Sequence, residues 1–294
     1  MSGRPAVVGI ISRYYREVVM PTDLEVPQME MREFAFMYRN NVMVRHRSFS
    51  DGRSLRSYLA KYVPMRAFHS VALYSDPSNQ DMDAKQWLAA DFVIDIDSDK
   101  LIEERRCHTY EECMSMTLHT SFELADYIRD VFGDTCEVHF SGRRGFHVIC
   151  SGALSAADRD VRIKVVDYMM NGYEFTCTAG NQVLKHAIPR CDALVRLGKA
   201  FDRNVTIDTS RLIGCINTIH GGSCLKVIKV EREVDDIWRI VDAAKWMKGT
   251  MKVNVVKPST PLDIFQFSEG IQELDAHAAC YALAADKAAP IRRA

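Results

Sequence analysis

Asp91-Phe92-Val93-Ile94-Asp95-Ile96-Asp97 is an apolar, β-branched run that ends in two acids. In a strand, residues two apart point to the same face, with α-carbons about 6.6 to 6.8 Å apart at the usual rise per residue. Asp95 and Asp97 would therefore project together and could share a hard divalent cation such as Mg²⁺ or Mn²⁺, which takes carboxylate oxygens together with substrate phosphates. Without a cation the two acids repel and a pKa rises. A strand end facing water is the plain alternative for any Asp-x-Asp. The apolar approach from Phe92 to Ile94 favours a buried strand that delivers acids at its carboxyl end.

A second group is Phe140-Ser141-Gly142-Arg143-Arg144-Gly145-Phe146-His147. Its two glycines can expose backbone amides, and Ser141, Arg143, Arg144 and His147 add hydroxyl, guanidinium and imidazole donors. That is a phosphate clamp in outline, with a surface hairpin turn as the alternative. It is not a Walker loop, because no Gly-Lys-Ser or Gly-Lys-Thr follows. The third group runs from Phe201 to Gly222. It supplies two more acids, Asp202 and Asp208, and His220 before two glycines. Singly these residues are weak signals, since Asp208 before Thr209 and Ser210 could cap a helix and His220 could be a core histidine.

Periodicity and breaker residues predict the elements that position these groups. We expect a helix near 53–62, a strand at 91–97, a helix near 109–132 stopped by Gly133, and strands at 136–140 and 146–150. A helix starting at a Ser155 cap and ending at Gly172, a strand at 226–230 and a helix near 234–247 follow. Strands and helices interleave, so the fold class is mixed α/β (α+β), with a mixed sheet flanked by helices. The simplest division is one domain, 1–294, with a tail from about 257 after Lys257-Pro258-Ser259-Thr260-Pro261.

The chain holds 38 Lys and Arg against 39 Asp and Glu, a formal charge of −1, so composition alone carries no nucleic-acid signature. The distribution does. Residues 39–66 hold Arg39, Arg45, Arg47, Arg53, Arg56, Lys61 and Arg66 against Asp51 alone, while residues 67–137 are strongly acidic. A solvated charged surface is one account; a polyanion-facing segment beside a metal-holding one is the other. No apolar run approaches the roughly 18 to 20 residues of a membrane helix, and no signal peptide is evident, so an intracellular chain without membrane contact is expected. Nine scattered cysteines fit a reducing compartment in which most are small buried hydrophobes.

Taken in order, DFVIDIDSD, FSGRRGFH and the Asp202 to His220-Gly221 block resemble the three motifs of the archaeo-eukaryotic primase catalytic (small) subunit. Arg32-Glu33-Phe34-Ala35-Phe36 and Val44-Arg45-His46-Arg47-Ser48-Phe49 resemble that family's amino-terminal segments. The resemblance implies template-directed synthesis of short RNA or DNA primers from nucleoside triphosphates on single-stranded DNA by two-metal nucleotidyl transfer. It also implies a primase large subunit as partner, with a replicative polymerase or helicase beyond it, in cytoplasm or nucleus according to the source. A primase-related polymerase of repair, plasmid or virus shares this chemistry, and a non-catalytic nucleic-acid-binding subunit is a third alternative.

By position, Asp95, Asp97 and Asp202 match the family's Mg²⁺ or Mn²⁺ ligands, with Asp208 as runner-up to Asp202. Ser141, Arg143, Arg144, His147 and His220 match its phosphate-holding residues, and Arg45 is a further candidate. Where the family has a basic residue before the late histidine this chain has Gly214, for which Arg211 or Lys226 could compensate. The family often carries a zinc knuckle after the carboxylate strand. Here Cys107, His108, Cys113 and His119, about residues 105–120, are the candidate ligands for a structural Zn²⁺, which wants four N or S donors; a degenerate knuckle with buried cysteines is the alternative.

Overall fold

In the computed structural model, which describes residues 4–179 and 182–291, helices and strands alternate along the chain. The first half forms α1 (Arg4–Arg13), β1 (Phe34–Met37), β2 (Met43–Arg47), α2 (Gly52–Tyr62), β3 (Arg66–Ser70), β4 (Ala72–Tyr74), β5 (Trp87–Ala90), β6 (Phe92–Asp97), α3 (Ser98–Glu103), α4 (Tyr110–Phe132), β7 (Thr135–Phe140) and β8 (Gly145–Ser151). Then come α5 (Arg159–Asn171), β9 (Tyr173–Ala179), β10 (Gln182–Ile188), α6 (Asp192–Leu197), α7 (Arg203–Ile207), β11 (Leu212–Gly214), β12 (Ile219–His220), β13 (Leu225–Lys226) and β14 (Ile228–Val230). The last elements are α8 (Ile237–Ala244), β15 (Thr250–Val255), β16 (Gly270–Asp275), α9 (Ala276–Ala284) and β17 (Ala288–Pro290).

Two four-stranded sheets, ordered β14-β7-β8-β6 and β11-β3-β1-β2, carry the architecture, and their pairings are antiparallel. The mixed α/β class is as expected, with antiparallel sheets in place of a mixed one. α4 lies across β7 and β8. Thr109 caps its start by accepting from the Glu112 amide at 3.1 Å, and Gly133, at φ 78°, ends it in the left-handed region that favours glycine. Between those caps Met114, Leu118, Leu124 and Ile128 are buried, each worth about 1.5 to 3 kcal/mol when fully removed from water.

Several boundaries differ from the pattern-based expectation. Residues 153–156 form a short 3₁₀ turn, and α5 starts instead at Asp158, whose carboxylate accepts from the Val161 amide at 2.9 Å. A nearby carboxylate at the helix start outcompetes the Ser155 hydroxyl as cap. The run Lys226 to Val230 is split at Val227, whose amide donates to Thr218 and whose carbonyl accepts from Asn217. The stretch from 257, expected as a tail, is folded through β16, α9 and β17, with Asp263 gripping Lys287 at 2.6 Å and accepting from the Tyr281 hydroxyl.

The cysteines depart furthest from expectation. Cys107 pairs with Cys113, Cys136 with Cys150 and Cys224 with Cys280, while Cys191 and Cys215 are free and buried. The Cys177 side chain lies outside the described residues. A zinc knuckle is not shown over residues 105–120: Cys107 and Cys113 are joined in a disulfide, His108 is exposed, and His119 is exposed on α4 beside Glu123 at 3.2 Å. Helix geometry carries His119 away from the Cys113 sulfur, because six residues along a helix is well over one turn.

The start of β6 is held by buried charge. Arg162, fully buried, donates to the carbonyls of Ala90 (2.6 Å), Asp91 (3.0 Å) and Thr206 (3.3 Å), tying β6 to α7. Arg32 pairs with Asp91 at 2.9 Å, and Glu33 holds Lys85 at 3.0 Å and Arg45 at 2.8 Å. Removing one member of such a group leaves an uncompensated buried charge, at a cost of about 3 to 5 kcal/mol.

Burial also pushes the imidazoles of His69 and His277 down from 6.5, to about 3 and about 4. Nε2 of His277 accepts from the Trp246 and Met247 amides, which requires the neutral ring. Below about pH 6.5 the unfolded chain binds protons on these rings that the folded chain refuses, so stability falls as pH drops through that window toward 4 and 3. Urea midpoints should therefore be lower at pH 5 than at pH 7.5. The fall should be smaller in His277→Gln, which keeps an acceptor and cannot be protonated; an identical fall in both proteins would contradict this assignment.

Candidate active site

Antiparallel pairing of β6 with β8 sets Asp95 opposite His147 and Asp97 opposite Gly145. The pairing is close. A Cβ on Gly145 would sit 2.5 Å from the Ile96 carbonyl oxygen, so no larger residue fits against β6 here. Gly142, in the turn before it, has φ 88°, and a Cβ there would come within 2.8 Å of the His220 Cβ. The glycines of the clamp are thus demanded by packing. They draw the turn down onto the carboxylate strand on one side and His220 on the other.

The result is a polar cavity of about 240 Å³ lined by Asp95, Asp97 and Asp99, by Ser141, Arg143, Arg144 and His147, and by Arg66 and His220. The carboxylate strand, the glycine-arginine turn and the late histidine, far apart in sequence, meet there as the motifs predicted. Nε2 of His147 lies 3.4 Å from the Asp95 carboxylate, and its Nδ1 is buried without a partner among the described residues. Burial pushes the His147 pKa down, and Asp95 only partly offsets it. Burial raises the Asp97 carboxyl, with Asp95 and Asp99 adding to the rise, while the Asp99 amide bonded to it at 2.9 Å works the other way. His220 is pushed well below its usual value by burial and by Arg66 and Arg143. Its Nδ1 accepts from the Gly222 amide at 3.2 Å, which leaves the neutral ring's proton on Nε2.

Other expected residues stand apart or do different work. Arg144 lines the cavity, but its guanidinium donates to Asp99 at 2.8 Å and to the Leu262 carbonyl at 2.9 Å, anchoring the C-terminal segment. Arg45 is bound to Glu33 and lies with Asp208 and Arg211 in a separate cavity beside β3 and β11. Asp202 is adjacent to the carboxylate strand, its amide donating to the Asp95 carbonyl at 3.4 Å and Phe201 bridging Ile96. Its carboxylate caps α7 by accepting from the Asn204 amide at 2.9 Å. Asp208, the runner-up, accepts from Ser210 and lines the separate cavity with Arg45.

Gly214 lies in β11 opposite Phe68, and neither it, Arg211 nor Lys226 lines the carboxylate cavity. The extra cation there is Arg66, at the start of β3. Burial lowers its pKa, opposed by Asp95 and Asp97. From the sequence, Arg66 is only one member of the polyanion-facing basic segment 39–66. Its cue was the His-Gly-Gly block: a Cβ on Gly221 would sit 2.6 Å from the Met65 carbonyl, and the Gly221 amide donates to that oxygen at 2.7 Å, so the loop presses Arg66 against His220.

No family model matches the chain. It is 31% identical to the DNA primase small subunit PriS of Saccharolobus islandicus and 32% identical to that of Saccharolobus solfataricus, in each case over 77% of this chain and 78% of the relative. With the PriS of Pyrobaculum calidifontis the identity is 30% over 91% of this chain and 94% of the relative. The chain belongs to the DNA primase small subunit family. The activity that goes with this family is DNA-directed nucleotidyl transfer, carried by the primase catalytic subunit. Among solved structures, the polymerase domain of Mycobacterium tuberculosis Ligase D in complex with DNA is similar with a TM-score of 0.46 and 12% identity, over 84% of this chain and 87% of that one.

Among the described residues no group of three or more His, Cys, Asp or Glu side chains is gathered to hold a metal ion. The donor chemistry of the primase cavity nonetheless fits a hard divalent cation: two carboxylates on one strand face, one of them with a raised pKa. Gly142→Ala should lower stability by about 1 to 3 kcal/mol, through its left-handed φ and the His220 contact, whereas Gly214→Ala, which meets only Val227 at 3.4 Å, should change it little. Thermal melts of the two variants check this; equal losses would show that the clamp turn is not held against His220.

Proposed function

We propose that this primase subunit makes short primers from nucleoside triphosphates on a single-stranded DNA template, with Asp95 and Asp97 holding Mg²⁺ or Mn²⁺ and Asp202, whose backbone adjoins the carboxylate strand, as the third acid. The observation that carries the reading is the meeting of two strand carboxylates with Ser141, Arg143, His147, His220 and Arg66 in one cavity. A divalent cation there would neutralise substrate phosphates and stabilise charge on the leaving pyrophosphate. Arg143 and Arg66 supply guanidinium donors suited to phosphate oxygens, and neutral His220 donates through Nε2. His147, tied to Asp95, orients that carboxylate. The fixed cations spare the site the cost of assembling donors during reaction, and positioning accounts for much of the rate in such transfers.

The exposed cations Arg47, Arg53 and Lys61 favour a template surface along β2 and α2, acting through salt-sensitive phosphate contacts. The relatives' designation as a small subunit favours a large-subunit partner, and their archaeal sources favour a cytoplasmic enzyme.

Asp95→Asn and Asp97→Asn should each lower de novo synthesis on unprimed single-stranded DNA by about a hundredfold or more, since metal-based charge stabilisation is worth several kcal/mol. Neither should lower the melting temperature, and Asp97→Asn should raise it, because burial beside other acids disfavours the charged group. Excess Mg²⁺ should stabilise the unaltered chain by about 2.7 kcal/mol at a hundred times its dissociation constant, and less in the variants. Wild-type primer yield from either variant in a gel assay would refute the assignment.

A further inference from the structure

Arg66, Arg143 and His220 face two ways. Behind them lies a second cavity, of about 340 Å³, whose other walls include Tyr38, Arg39, Asn41 and Gly221-Gly222. The first cavity contains three acids; the second is lined by none. Two cavities that share their cations but differ in acids sort a ligand by charge: a cation-bearing end belongs in the first, and a bare polyanionic end in the second.

Three details sharpen that reading. Arg39 is exposed at the β1–β2 turn, and among the described residues its side chain makes no ion pair or hydrogen bond, so its charge is free for a ligand. The turn that carries it is held by bonds from the Tyr38 amide to Val42 and from the Asn41 amide to Tyr38, both 2.9 Å. Gly222 lines the second cavity beside the shared residues: a Cβ there would lie 3.1 Å from Cε1 of His220 and 3.9 Å from the Arg143 guanidinium, so a side chain would crowd both. Nε of Arg143 is buried without a partner among the described residues.

We propose that the second cavity receives the terminal phosphate of the incoming nucleotide, and that Arg39 is the residue that distinguishes a triphosphate from a diphosphate. This rests on the first cavity being the nucleotide site. The α- and β-phosphates lie among Arg66, Arg143 and His220, and the γ-phosphate passes the glycine pair to reach Arg39. A diphosphate ends short of it.

The test is titration calorimetry of the whole chain with ATP and with ADP in Mg²⁺, without template. Arg39→Ala should weaken ATP binding about tenfold, the effect of losing one charge-assisted hydrogen bond, and leave ADP binding unchanged. Arg39→Lys should restore part of the ATP affinity, and an unchanged melting temperature in Arg39→Ala would show that the fold is intact. Equal weakening of both ligands, or of neither, overturns the role of Arg39. Arg143→Ala separates this failure from a deeper one. If it weakens both ligands while Arg39→Ala weakens neither, the nucleotide site stands and the second cavity is not part of it. If the unaltered chain binds neither ligand, or Arg143→Ala changes nothing, the nucleotide site itself is misplaced and this inference falls with it.

Discussion

The contact on which the site depends is the close antiparallel approach of β8 to β6 at Gly145, where the backbone of one strand rests against the Ile96 carbonyl of the other. It fixes a register. Side chains alternate faces along a strand, so a slip of one residue would turn Asp95 and Asp97 away from the cavity and expose Ile94 and Ile96 in their place. The apolar members of β6 are fully buried, which makes that slip expensive and the register unique. Core packing and carboxylate placement are therefore one constraint seen from two faces of the same strand.

From that register the rest of the cavity follows by short links. The turn between β7 and β8 must lie beside the acids because β8 starts opposite Asp97. The turn touches His220 because Gly142 leaves room for it, and the Ser223 hydroxyl bonds the Gly142 carbonyl. His220 meets Arg66 because its glycine neighbour is bonded to Met65. Of the cavity's arginines, among the described residues only Arg144 is drawn into an ion pair, with Asp99, while Arg66 and Arg143 remain open to the cavity. Such a separation would leave the acids free for a cation and the arginines free for phosphate oxygens.

The C-terminal part is an integral wall of this arrangement. Arg144 reaches the Leu262 carbonyl, Tyr110 bonds the Arg143 carbonyl and has its own amide bonded to Pro261, and Cys224 joins the His220 loop to α9 through Cys280. The mean effect of these ties is to immobilise the clamp arginines from behind, so that their donors are set before a ligand arrives.

What the sequence by itself determined were the local signals: the two acids at the end of an apolar strand, the paired glycines with their donors, the helix of α4 between Thr109 and Gly133, and the family these motifs share with archaeal primase subunits. Each is a property of neighbours along the chain, where strand alternation, capping and glycine's conformational freedom act over a few residues. Tertiary structure decided what each residue faces. It brought Arg66 into the cavity and tied Arg45 to Glu33, although both belong to one basic segment. It joined Cys107 to Cys113 where the family resemblance had suggested a metal, and set Asp202, not Asp208, beside the carboxylate strand. Charge and burial at these positions come from residues dozens of places away, and no local pattern encodes the distance between them.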